Sequence, residues 1–116
     1  MKLHLYQLQY AVSEKEYETI KNSKMATANL TMDRLVAILT KDIDIGNQAT
    51  PHIGESINDA YWPSDICEQK VVNVCYSYAD SSCTVTLEPF VMVAGGLLHN
   101  ELEKIASLHG WECQMV

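Results

Sequence analysis

Four cysteines (67, 75, 83, 113) and four histidines (4, 52, 99, 109) are the residues of this chain best suited to hold a metal or attack a substrate. Structural zinc sites pair their ligands closely, as C-x2-C or H-x3–5-H. Here Cys67, Cys75 and Cys83 follow one another at intervals of eight, and His99 and His109 are ten apart. This spacing predicts no metal site, and the thiols read as small, buried, reduced apolar groups. Thiol catalysis needs a base beside the sulfur. The conceivable pair is Cys75 with His4, but alternation along the first strand groups His4 with Tyr6 and Leu8, away from a polar sheet face.

Other chemical patterns are equally spare. "VAGGLLHNELEK" sets two glycines before a helix, an arrangement able to present N–H groups to an anion. It lacks G-x-G-x-x-G and a following phosphate-binding lysine, so it reads as a strand-to-helix turn. Glu101 and Glu103 are two apart on a helix and do not face each other. Asp42 and Asp44 in "DIDI" share a face as solvated charge. No catalytic constellation and no cofactor motif emerges, so the expectation is a protein that is not an enzyme.

The totals narrow the class further. The 116 residues fit one domain, and 47% hydrophobic content suffices for a core. Fifteen acidic residues against eight basic ones give a net charge of −7. Phosphate backbones are bound through lysine and arginine, so neither nucleic acid nor an anionic membrane is an expected partner. The N-terminal stretch lacks a signal-peptide core, and no run reaches the ~20 apolar residues of a membrane helix. The expected location is the cytoplasm, with reduced thiols.

The elements that must position these residues are legible by period and by their ends. "KLHLYQLQYAV" (2–12) reads as an interior strand, with apolar residues on both faces. Ser13 and Glu16 form a capping box, with Val12 and Tyr17 as a hydrophobic staple, predicting a helix to about Asn22. "SKMATAN" breaks or bends it. Met32, Leu35, Val36 and Leu39 at i, i+3, i+4 and i+7 then predict a second helix, capped by Thr31. "KVVNVCYSY" and "SCTVTLEPFVMVA" predict a hairpin turning at Asp80–Ser81. Tyr78 then faces Cys83, Tyr76 faces Val85, and Cys75 and Cys83 point to opposite sides of the sheet. "LLHNELEKIASLH" (97–109) reads as a helix buried along Leu98, Leu102, Ile105 and Ala106, and "WECQMV" as a last strand. The order β-α(α)-β-β-α-β predicts an α+β, ferredoxin-like sandwich, an antiparallel sheet with helices on one face.

Residues 42–69 stand apart as a long insertion with six acids and no base, punctuated by Gly46, Pro51, Gly54 and Pro63. Long connections of this kind are often functional. "INDAYWPSD" sets Tyr61 and Trp62 among acids, as binding surfaces set aromatic anchors within a polar rim; the alternative is that Trp62 tucks the segment onto the domain. The expected function is therefore a small acidic interaction protein that docks on and regulates or inhibits a larger protein with a basic surface. Small inhibitors encoded by phages and mobile elements have this general profile, by analogy alone. Its expected contact residues are Asp42, Asp44, Glu55, Asp59, Tyr61, Trp62 and Asp65. The competing expectation is a homodimeric small-ligand binder with a pocket lined by Tyr6, Tyr10, Tyr76 and Tyr78.

Overall fold

In the computed structural model, which describes residues 1–22 and 32–116, the first strand β1 (Lys2–Val12) is central. Its alternation is inverted relative to expectation. Leu3, Leu5, Gln7 and Gln9 are buried, while His4, Tyr6 and Leu8 are only half-buried. Two glutamines thus occupy the core face, where the sequence pattern alone would place apolar residues.

The segment expected to be a second helix is the strand β2 (Leu35–Asp44), preceded by a single 3-10 turn. "LVAIL" is an unbroken apolar run, and such a run satisfies a helical and a strand period alike. Its β-branched residues and its pairing with β1 decide the outcome. Leu35, Ala37 and Leu39 are buried on one side, and β1 and β2 pair antiparallel from Lys2–Asp44 to Gln9–Ala37. The expected break at residues 23–29 and the Thr31 cap lie outside the described residues.

The remaining elements are β3 (Ser56–Asn58), β4 (Glu68–Ser77), β5 (Ser82–Leu87), β6 (Phe90–Val93) and β7 (Glu112–Met115), with helices α1 (Glu14–Asn22), α2 (Leu97–Asn100) and α3 (Leu102–Leu108). The strands form one mixed seven-stranded sheet in the order β3-β4-β5-β1-β2-β7, with β6 also on β1. The ferredoxin-like expectation is therefore wrong: the chain is mostly β, and its central strand has parallel neighbours on one side and an antiparallel neighbour on the other.

That parallel side holds a break. β5 pairs with residues 2–6 of β1 and β6 with residues 9–12, and Glu88 and Pro89 lie between. Proline has no N–H to continue a ladder. The carbonyl of Glu88 is instead satisfied by the Gln7 side chain at 2.8 Å. A buried carbonyl without a partner would be costly, so the break in the sheet accounts for an inward glutamine.

The helices follow expectation more closely. Ser13 Oγ accepts the Glu16 N–H at 3.1 Å, and Glu16 Oε1 accepts the Ser13 N–H at 3.3 Å. Glu16 Oε1 also lies 3.1 Å from Arg34. The last helical stretch is interrupted at Glu101 (φ −113°, ψ 19°), giving α2 and α3. Leu102 and Ala106 are buried. The hairpin pairs Tyr76 with Cys83 and Cys75 with Thr84, a shift of two residues that preserves the faces. Cys75 is exposed and Cys83 buried, on opposite sides. A bulge between Val71 and Asn73 changes the phase, so Val71 is buried and Val72 turned outward.

Among the described residues no helix is long and apolar enough to cross a membrane.

Candidate functional site

Residues 58–67 lie across the inner face of the sheet, and their fixation begins with Tyr61 and Trp62. Both are core residues, 3% and 2% exposed. Neither is a surface anchor; the expectation of a binding pair gives way to the alternative that Trp62 fastens the segment. Trp62 donates its indole N–H to Gln7 Oε1 at 2.9 Å, and Tyr61 donates its hydroxyl to Gln9 Oε1 at 3.0 Å. Gln9 Nε2 donates to Gln7 Oε1, and Gln7 Nε2 donates to Gln69 Oε1. Burial pushes the Tyr61 phenol far above its ordinary range, with Cys113 adding to the shift, so it remains a donor. The rings pack edge-on: Trp62 lies 5.7 Å from Trp111, and Tyr61 lies 6.2 Å from Phe90.

Asp59 ties the same segment to β2. Its carboxylate takes the Lys41 ammonium at 2.8 Å, the Tyr61 backbone N–H at 2.9 Å and the Trp111 indole N–H at 3.3 Å. Burial alone would raise its pKa, but hydrogen bonds from Lys41, Tyr61 and Trp111 prevail and hold it below the ordinary value. Asp59 is thus committed to the fold.

On the solvent side of this platform runs a groove. One part, about 550 Å³, lies between residues 58–67 and the helices, with Tyr61, Trp62 and Pro63 on one side and Leu97, Leu98 and Ile105 on the other. It continues past Pro63 and Leu98 to Ile66, Phe90 and Tyr17. Two apolar lips stand out of it: Ile66 is 39% exposed and Leu97 79% exposed. Both stand on backbone turns fixed by hydrogen bonds. Ile66 ends a 3-10 turn (Ser64–Ile66) whose carbonyl accepts from the buried Gln69 side chain at 2.9 Å. Leu97 follows a turn in which Gly95 (φ 78°) donates its N–H to His99 Nδ1 and accepts from Asn100 Nδ2. A left-handed φ at that position suits glycine.

Beside Ile66 lies an acidic depression of about 530 Å³, lined in part by Asp65, Glu68 and Glu88. Asp65 and Glu68 have no ion-pair partner among the described residues. Glu88 accepts the Lys70 backbone N–H at 3.1 Å.

The other expected contact residues are scattered. Asp42 bonds His4 Nδ1 at 2.6 Å across the outer face of the sheet. Asp44 accepts the Gly46 N–H at 2.9 Å. Glu55 is held below its ordinary pKa by the backbone and side chain of His52. Of the seven, only Asp65 is presented at the groove as an uncommitted side chain; Asp59, Tyr61 and Trp62 form its base. The groove also uses Ile66, Glu68, Glu88 and Leu97, which sequence reasoning missed. Leu97 carried a signal, as an apolar residue beside but outside the buried helical stripe.

The four tyrosines do not line one pocket. Tyr6 lies on the outer face and Tyr10 is buried in β1. Tyr76 has the inner phase, opposite Cys83, and bonds Thr50 Oγ1 at 2.7 Å. Tyr78 is 92% exposed beyond the end of β4.

His4 and Cys75 do share the outer face, contrary to expectation, but Thr84 of β5 lies between them. Two strand spacings separate them, about 10 Å, so imidazole and thiol do not form a catalytic pair. No three histidine, cysteine, aspartate or glutamate side chains gather for a metal among the described residues.

Compared with known proteins, the chain matches no family model, no curated protein and no solved structure.

Proposed function

We propose that this protein is a small acidic interaction module whose groove takes up an apolar segment, flanked by basic residues, of a larger protein and so regulates or blocks it. One observation carries the reading. Two large apolar side chains, Ile66 and Leu97, stand outward on either side of Pro63, and Ile66 adjoins carboxylates that no cation of the described chain neutralises. Isolated exposed apolar residues are ordinary, but a fixed apolar depression with a charged rim is what a docking site requires. The net charge of −7 favours encounter with a basic partner.

The lips also suit docking energetically. The backbone turns that carry them are anchored by Gln69, His99 and Asn100, so little backbone order remains to be imposed on binding. Regulation by occlusion follows from size: a 13.0 kDa body seated on a segment covers what surrounds it.

Selection from a random peptide display library tests the reading. Enriched peptides are expected to carry two or three apolar residues flanked by Lys or Arg. Their capture should fail on a folded Ile66→Asp, Leu97→Asp variant. No enrichment, or enrichment indifferent to that variant, would overturn the proposal.

A further inference from the structure

The groove is bordered by more than its lips: the outer edge of β6 runs along it. β6 pairs with β1 through residues 90–93 and, among the described residues, with no other strand. Just past it, Ala94 donates its N–H to Val12 O at 2.7 Å. Peptide groups along a strand point alternately to its two sides. Those of Phe90 and Met92 therefore turn to β1, and those of Val91 and Val93 turn away. On that outer side the Val93 carbonyl accepts the Gly96 N–H, while the Val91 N–H, the Val91 carbonyl and the Val93 N–H have no backbone partner among the described residues.

Position in the sheet accounts for this open edge. β5 and β6 lie end to end beside β1. β5 has β4 on its other side, paired from Val71–Leu87 to Ser77–Ser82. The chain that would continue that pairing alongside β6 precedes β4, and it folds into the Ser64–Ile66 turn instead. Two depressions of about 240 and 230 Å³ follow the edge, and both are lined by Tyr17, Ile66, Phe90 and Val91. α1 borders them with side chains but makes no backbone bond to β6.

We infer, resting on the docking reading of the groove, that the segment it takes up is extended and adds as a strand to the outer edge of β6, in line with the place of β4 beside β5. Whatever seats here displaces water from the outward peptide groups, and such groups left unpaired are costly. A helix spends its own backbone groups within itself and would leave them unpaired. An extended segment pairs with them, and its side chains, alternating in direction, reach apolar neighbours such as Tyr17, Ile20, Pro63 and Leu98. Charge marks one end. Near Ile66 the carboxylates of Asp65, Glu68 and Glu88 outnumber Lys21. A lysine or arginine of the segment belongs there, which favours a basic partner over a second copy of this acidic chain.

Amide-resolved hydrogen exchange on the full wild-type chain tests the inference, with a display-selected peptide as the probe. In the free protein the Val91 and Val93 amides should exchange faster than that of Met92, which bonds β1. Saturation with the peptide should slow both by at least about tenfold. N-methylation of the peptide, one residue at a time, should weaken binding about tenfold at alternate residues, whose N–H groups face β6, and little at those between. A Val91 amide already slow in the free protein, Val91 exchange unchanged by the peptide, or N-methyl effects without alternation would each overturn the added strand. If the peptide in those cases still fails to bind a folded Ile66→Asp, Leu97→Asp variant, the docking reading stands without it. A library that yields no peptide, or peptides indifferent to that variant, overturns both. The exchange and N-methyl measurements need wild type alone, so they decide the inference whether or not the variant folds.

Discussion

Trp62 donates its indole N–H to Gln7 Oε1 across 2.9 Å, joining positions 55 residues apart in the chain. The bond couples the acidic segment to the central strand, at the point where the parallel side of the sheet is broken. The same glutamine bonds Glu88 O and Gln69, and Gln69 in turn holds the turn that presents Ile66. A buried polar network therefore connects the break in the sheet to a lip of the groove.

Gln7→Leu tests that network. Leucine is similar in size, so no large cavity forms, but Trp62, Gln9 and Gln69 lose a partner in a buried setting. Leaving such groups unpaired is expected to cost about 2–4 kcal/mol, read as a lower urea midpoint at unchanged slope. A midpoint equal to wild type would contradict the network's role.

Much of this was hidden from the sequence for a physical reason. Binary patterning assigns glutamine to the solvent, so "LYQLQY" suggests that Tyr6 and Leu8 face inward; the hydrogen bonds that reverse this come from residues 61, 62, 69 and 88. β2 was hidden because "LVAIL" carries no polar residue to mark its period. Local signals read correctly where the chemistry is local: the Ser13–Glu16 box, the opposite phases of Cys75 and Cys83, and the buried stripe ending in Ala106. Of the site, Asp65 was legible, while the lips were not, because their exposure depends on what packs around them.

Lys41→Met breaks the partly buried pair with Asp59, whose side chains are 22% and 14% exposed. The expected loss is about 3 kcal/mol at neutral pH. Asp59's folded pKa lies below its ordinary value, so its stabilisation is complete above about pH 4 and is lost as pH falls through the folded value. The stability gap between wild type and variant should accordingly narrow in acid. A gap that stays constant from neutral pH to pH ~2 would assign the loss to packing on Trp111 instead.

Ser13→Ala removes the cap of α1 and is expected to cost about 0.5–2 kcal/mol by chemical denaturation. Its effect should fall at the same site as that of Glu16→Ala, so the double variant should lose less than the sum. Strict additivity would show that the box does not act as a unit.

The four thiols should label at different rates. Cys75 is exposed and should react first, while burial of Cys83 raises its pKa and should delay reaction until the chain opens. Cys113, raised by burial and then by Glu103, should also lag behind Cys75. Alkylation followed by peptide mass mapping gives the order, and Cys83 reacting as fast as Cys75 would contradict the buried phase of β5.

The central claim is that the groove beside Pro63 docks an apolar segment flanked by basic residues. Calorimetric titration of a display-selected peptide tests it most directly, using wild type, Ile66→Asp with Leu97→Asp, and Asp65→Asn with Glu68→Gln, each at low and high salt. Removing the apolar lips should abolish measurable binding. Neutralising the acids should weaken it by about 1 kcal/mol or less per charge and flatten its salt dependence. Equal affinities across the three folded proteins would contradict the account.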